Sequence, residues 1–252
     1  MLEAVTLRTR PDLREQLFSS HFRQAWPAFM QHDPIADLYF TDHNLDACLD
    51  TAFAIVERDR PETAVGRAFA VPFSFGTMPH RMELPDTGWD GVIRWAYHDR
   101  ALGRCPNALS ALEITLLPTH RGRGASRTVL DAMRAQARAL GLEHMFAPVR
   151  PTEKHLEPCT PIRDYVSRRR DDGLPADPWL RVHIKAGGEI VKIAPTSMVI
   201  PGSIADWVNW TAMAFPVSGP VVVPGALVPV HVSVEQDHAV YVEPNVWIRH
   251  VI

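Results

Sequence analysis

The part of this chain that most constrains its fold is residues 108–149, where an apolar run, a two-glycine loop, an amphipathic stretch and a second apolar run follow without a break. Residues 108–117 (Ala-Leu-Ser-Ala-Leu-Glu-Ile-Thr-Leu-Leu) read as a strand. Beyond the loop, Val129, Leu130, Met133, Ala137 and Leu140 fall on one helical face, with Thr128, Asp131, Arg134 and Arg138 away from it. Gly141 is placed to end that helix in the left-handed conformation, and residues 144–149 form the next strand. Strand, loop, helix and strand in this order make a crossover unit, which is right-handed in nearly all proteins.

The loop itself, Pro118-Thr119-His120-Arg121-Gly122-Arg123-Gly124-Ala125-Ser126, carries the chemistry. A helix N-terminus exposes unpaired N–H groups and the positive end of the macrodipole, and glycine lets an anion approach the backbone closely. Three anion-binding patterns compete. A P-loop requires Gly-x-x-x-x-Gly-Lys-Ser/Thr, and the loop contains no lysine. A dinucleotide fingerprint requires a third glycine, and Arg127 stands in its place. The third pattern, Arg/Gln-x-x-Gly-x-Gly/Ala between a strand and a helix, is met at Arg121 and Gly124, with Ser126 in place of the last small residue.

On these residues the sequence resembles the GNAT superfamily of acyl-CoA-dependent N-acyltransferases, closely over residues 108–149 and loosely over most of the chain. The resemblance implies an α/β (α+β) fold. Its centre would be a mixed, mostly antiparallel twisted sheet flanked by helices, in one elaborated domain with insertions near residues 76–107, 151–176 and 201–226. It also implies acetyl-CoA as acyl donor. Backbone amides from Arg121 through Gly122, Arg123, Gly124 and Ala125 to Ser126 would cradle the pyrophosphate, and Arg123 and Arg127 would add charge near the phosphates. Backbone groups of Leu116 and Leu117 would pair with the pantetheine arm and polarise the acetyl carbonyl, a use of preorganised donors that stabilises developing oxyanions.

Amine acetylation needs a base for the ammonium proton and an acid for the departing thiolate. Members of the family often carry a glutamate on the strand before the loop, which points to Glu113. They often carry a tyrosine in the helix after the fifth strand, and His183 occupies that place in Arg181-Val182-His183-Ile184-Lys185-Ala186-Gly187-Gly188. Imidazole titrates near neutrality and can substitute. Tyr165 is the competing acid. Glu243 and Asn245, beside Pro244 in the last strand, are candidates to touch the acceptor.

Elsewhere the pattern predicts a first strand at 4–8, helical spacing across 12–31, a hairpin from strands at 51–58 and 64–75 turning at 59–62, and a local strand at 92–97. Asp177-Pro178-Trp179 opens a helix through 186, a strand follows at 189–193, a short helix at 203–213, and strands at 227–234 and 239–252. Pro244 should force a bulge or an edge in the last of these.

A net charge of -3 gives no electrostatic case for nucleic acid or an anionic membrane. The twelve histidines are scattered without a ligand signature, so no metal is expected. Three widely spaced cysteines without a Cys-x-x-Cys suit a reducing cytoplasm. Residues 1–14 contain no apolar signal core, and no apolar run is long enough to span a bilayer. The expectation is therefore a cytoplasmic N-acetyltransferase acting on a primary amine of a small acceptor within a ternary complex, with a homodimer compatible with the sequence. A non-catalytic acyl-CoA sensor on the same fold is the alternative. No acidic run in the sequence marks a polycation pocket.

Overall fold

The computed structural model describes residues 1–122 and 124–252; Arg123 lies outside the described residues. Nine strands, β1 (Leu2–Thr6), β2 (Ala52–Glu57), β3 (Arg60–Phe73), β4 (Ala108–Leu116), β5 (His144–Val149), β6 (Gly188–Gly202), β7 (Gly219–Val221), β8 (Val230–Ser233) and β9 (His238–His250), form one sheet. Its order is β1-β2-β3-β4-β5-β9-β8-β7, with β6 on the other edge of β9. Neighbouring strands are antiparallel except β4 and β5. The parallel pair is the one joined by a helix, as its connection requires.

The helices used below are α1 (Gly88–Ala101), α2 (Ala125–Ala139), α3 (Ile162–Ser167), α4 (Pro178–Lys185) and α5 (Ile204–Thr211). The buried apolar residues fall into two clusters, one on each face of the sheet. On the first face Phe69, Phe73, Leu112, Tyr241 and Trp247 pack against Trp89, Val92, Ile93 and Ala96 of α1 and Trp207 of α5. On the second, Leu109, Ala111, Leu116, Ala147 and Ile248 pack against the stripe of α2 (Val129, Leu130, Met133, Ala137) and Leu180 of α4. Covered on both sides, β2 has no polar residue from Ala52 to Val56. The start of α4 is fixed by Asp177, whose side chain accepts the Trp179 and Leu180 amides ahead of Pro178.

The crossover unit, β1 to β3, α4, α5, β8 and β9 lie where the sequence places them, within a few residues at their ends. Three local expectations change. Residues 12–31 form short 3-10 and single-turn helices (Pro11–Leu13, Arg14–Leu17, Ser20–Arg23, Ala28–His32), broken by the extended backbone of Ser19 and again at Pro27. Residues 92–97 are helical rather than a strand. Trp89, Val92, Ile93 and Ala96 repeat at three- and four-residue spacing on the buried side of α1, and that period overrides the β-branched run. The strand expected at 189–193 extends to Gly202 as β6, while the bulge or edge expected at Pro244 is present, with the extra residues on β6 and the other edge of β9 unpaired there among the described residues. Ala194 pairs with Asn245 and Met198 with Glu243, so residues 195–197 of β6 bulge opposite the proline.

Candidate active site

Strands β4 and β5 pair over only three residues, from Ala108 with His144 to Ser110 with Phe146, and then part. β5 continues against β9 through Val149 with Val246, while β4 continues against β3 through Leu116 with Gly66. A wedge-shaped opening in the sheet results, widest at the end of β4 where the glycine loop begins. Among the described residues, the same edge of β9 meets no strand beyond Val246 until Val240 pairs with His231, so residues 241–245 form the far side of the gap.

Which backbone groups face the opening follows from the ladder. The Leu117 amide donates to the Val65 carbonyl at 2.9 Å. Antiparallel pairs alternate between bonded and non-bonded, so Leu116 and Ile114 turn their N–H and C=O away from β3 and into the gap. Of the two backbone positions nominated, Leu116 therefore faces the opening and Leu117 faces β3. Ile114, which the sequence did not single out, joins Leu116. A bulge at Leu112 marks the parting point: Glu113 pairs with Phe69 and Ala111 with Ala70, leaving Leu112 unpaired between them. Its carbonyl accepts the indole N–H of Trp89 at 3.2 Å.

The loop is built for close backbone approach. Gly122 and Gly124 both have φ of 78°, and a Cβ on either would meet nothing within 4 Å, so their outer face is open. Gly124 caps α2, and Ala125 packs into the core beneath it. Arg121 turns inward, its Nε donating to the Leu116 carbonyl at 3.0 Å. Arg127 reaches α4, donating to the Lys185 carbonyl at 3.0 Å, and Ser126 is half-buried. Opposite Leu116, Gly66 leaves no room for a side chain. A Cβ there would lie 2.5 Å from Leu116 Cδ2 and 2.9 Å from the Thr115 carbonyl oxygen. Gly66→Val should displace the last residues of β4 and weaken acetyl-CoA binding at least tenfold, measured by equilibrium dialysis. Unchanged affinity would mean that this end of β4 does not border the donor.

The nominated acid–base residues lie apart. Glu113 is on the first face, in a buried two-point ion pair with Arg67 (Nε to Oε1, 2.6 Å; Nη2 to Oε2, 3.2 Å), and it accepts the Thr115 hydroxyl at 2.7 Å. Arg67 also donates to the Leu17 carbonyl. His183 is on the second face, level with the paired part of β5. Its Nδ1 lies 2.9 Å from Nε2 of His250, which is opposite Met145. Tyr165 in α3 donates to Asp177 at 2.9 Å, and burial followed by that carboxylate pushes its pKa upward.

Burial drives the His183 pKa well below its usual value and that of His250 down to about 4. Unfolded histidine takes a proton near pH 6.5 and these two do not, so acidification from pH 6.5 toward 4 favours the unfolded chain through this pair. The fall in thermal midpoint between pH 7 and pH 5 should therefore be smaller in His183→Phe than in the parent. An equal fall would show that His183 takes its proton in the folded state.

On the first face a polar cluster interrupts the apolar core. Glu243 accepts from Arg150 (2.9 Å), Tyr241 (2.8 Å) and Asn245 (3.0 Å). Asn245 accepts the Ser197 hydroxyl at 2.6 Å, and Ser197 accepts the Trp89 amide at 2.8 Å. Beside it lie the carboxylates of Asp33 and Asp90, near enough that, besides burial, the charge of Asp33 pushes the Asp90 pKa up. Sequence reasoning nominated Glu243 and Asn245 here but missed Asp33, Asp90 and Trp89, because only the packing of α1 and the turns at 28–36 over the sheet brings them together.

No family model matches the chain. A curated relative, the arginine N-acetyltransferase avaD of Aspergillus versicolor, is 34% identical over 275 residues, covering 98% of this chain and 93% of the relative. Among solved structures, the loading GNATL domain of CurA from Lyngbya majuscula shares the fold with a TM-score of 0.53 at 16% identity, over 100% of this chain and 96% of that one. A Drosophila melanogaster polyamine N-acetyltransferase aligns over 100% of both chains at 12% identity with a TM-score of 0.44.

Proposed function

The chain belongs to the GNAT superfamily of N-acyltransferases, and we propose that it transfers an acetyl group from acetyl-CoA to a primary amine of a small acceptor, directly within a ternary complex. The observation that carries this reading is the wedge between β4 and β5, with the left-handed glycine loop and the α2 N-terminus at its mouth. Such a mouth suits a pyrophosphate, since open glycine backbone and an exposed helix N-terminus both favour anions. Leu116 and Ile114 suit a polar arm laid along the free edge of β4.

Starting from the ammonium, the reaction forms an N–C bond, breaks the C–S bond and removes two protons from nitrogen, one passing to the base and on to solvent and the other ending on the sulfur. Glu113 is proposed to receive the ammonium proton through a water, because it follows the bulge of β4 on the first face. Its two-point pairing with the Arg67 guanidinium fixes the carboxylate in place beside the bulge. His183 Nδ1 is engaged with His250 and the Tyr165 hydroxyl with Asp177, while His183 Nε2 is buried without a partner among the described residues, so supporting α4 is the role proposed for them. The name of the fungal relative makes L-arginine the first acceptor to test. Three free thiols, Cys48, Cys105 and Cys159, fit the cytoplasmic location proposed for the enzyme. Among the described residues no helix is long and apolar enough to cross a membrane. Purified protein given acetyl-CoA and L-arginine should release CoA thiol and yield an acetylated amine; failure over a broad amine panel would overturn the reading.

A further inference from the structure

Asp33 and Asp90 are 4% and 2% exposed, yet each keeps an oxygen without a donor. Asp33 Oδ1 accepts the Ile35 amide at 2.8 Å and Asp90 Oδ2 accepts the Val199 amide at 3.1 Å. Asp33 Oδ2 and Asp90 Oδ1 meet no N–H or O–H donor among the described residues. Buried acceptors of this kind are costly unless something positive sits against them. Glu243, with its own three donors, adds negative potential from β9, and Arg94, one turn beyond Asp90 on α1, is the nearby cation. Arg94 is exposed and makes no hydrogen bond or ion pair with either aspartate.

The pair is also placed to serve the wedge. Trp89, the residue before Asp90, reaches the Leu112 carbonyl at the parting point of β4 and β5. Glu243 and Asn245, on the part of β9 that forms the far side of the gap, connect through Ser197 to the same helix end. Asp90 accepts the amide of Val199, which pairs with Val242 on the part of β9 that borders the gap, so the carboxyl pair lies one strand beyond that border. That placement suits a flexible acceptor with an amine at one end and a second cation a few bonds away.

Resting on the acetyltransferase reading above, we propose that Asp33 and Asp90 form the subsite that recognises the cationic far end of the acceptor, a guanidinium group. Its planar fork offers parallel donors to two neighbouring carboxylates, which a hydrated ammonium does less well. Among the described residues the carboxylates are not gathered into a three-ligand metal set, so an organic cation is the better fit. Without acceptor the pair holds a proton. Burial first, then its neighbour's charge, pushes Asp90 well above the usual carboxylate range, and burial pushes Asp33 up as well. Guanidinium entry near pH 7 expels that proton to solvent.

The test compares L-arginine with L-citrulline, which has the same length and amine but an uncharged urea, as acceptors for the parent, Asp33→Asn and Asp90→Asn. The parent should favour arginine by at least 100-fold in kcat/KM. Each variant should reduce that ratio to below about 10 through the KM for arginine while binding acetyl-CoA as the parent does. An undiminished ratio in folded variants would overturn the subsite while leaving the acetyltransferase standing. Asparagine is isosteric with the protonated acid, so both variants should fold. Should either fail to, calorimetry on the parent decides: arginine binding near pH 7 should release a proton, seen as a heat that changes with buffer ionisation enthalpy. No release would overturn the proposal. Arginine binding with proton release but no CoA thiol from any amine would instead overturn the catalytic reading.

Discussion

Replacing Gly124 by tryptophan should abolish acetyl-CoA binding without unfolding the chain. At φ of 78° a side chain costs about 1–2 kcal/mol. The Cβ itself meets nothing within 4 Å, so the core beneath stays intact. The indole instead projects over the loop and the α2 N-terminus, where the pyrophosphate is proposed to lie. Loss of those backbone contacts should raise the dissociation constant at least 100-fold, about 2.7 kcal/mol. Gly141 supplies the control. It has φ of 70° with equally open space, but it stands at the other end of α2. Gly141→Trp should carry the same strain and keep acetyl-CoA affinity. Equal affinity for Gly124→Trp and the parent, by dialysis or calorimetry, would remove the loop from the donor site.

The second large effect concerns Glu113. Glu113→Gln leaves the Arg67 guanidinium buried with one carbonyl and a neutral amide in place of a two-point ion pair. Breaking such a pair typically costs about 3–5 kcal/mol, which at about 3 °C per kcal/mol lowers the thermal midpoint by roughly 10 °C. Activity will fall as well, and the single variant does not separate the two losses. The double variant Arg67→Met, Glu113→Leu does. Apolar replacement of a buried pair is often neutral, so most of the midpoint should return. The turnover should stay low if Glu113 accepts the proton. Recovery of both stability and kcat would assign Glu113 a purely structural role.

How far the sequence reached depended on how local each signal was. Strand β4, the glycine loop and α2 are contiguous, and their periodicity and left-handed glycines can be read directly from residues 108–149. The same holds for α4, where Asp177 and Pro178 announce the helix start. Turning Leu116 toward the wedge and Leu117 away from it depends on the register with β3, which no local pattern carries. The approach of Asp33 to Asp90 depends on a proline-broken segment and an inserted helix meeting over β6 and β9. Neither residue lies in an acidic run, because this charge is assembled only by folding. His183 was nominated by its place before a glycine pair, but its partner His250 lies in the last strand and becomes visible only with the sheet order.

The most direct measurement of the central claim follows CoA thiol and acetylated amine together, using purified protein, acetyl-CoA and L-arginine. Transfer in a ternary complex predicts one equivalent of thiol for each equivalent of N-acetylated product, and release that depends on the amine. Thiol release without acetylated amine, or no release across a panel of amines by protein that binds acetyl-CoA, would contradict it.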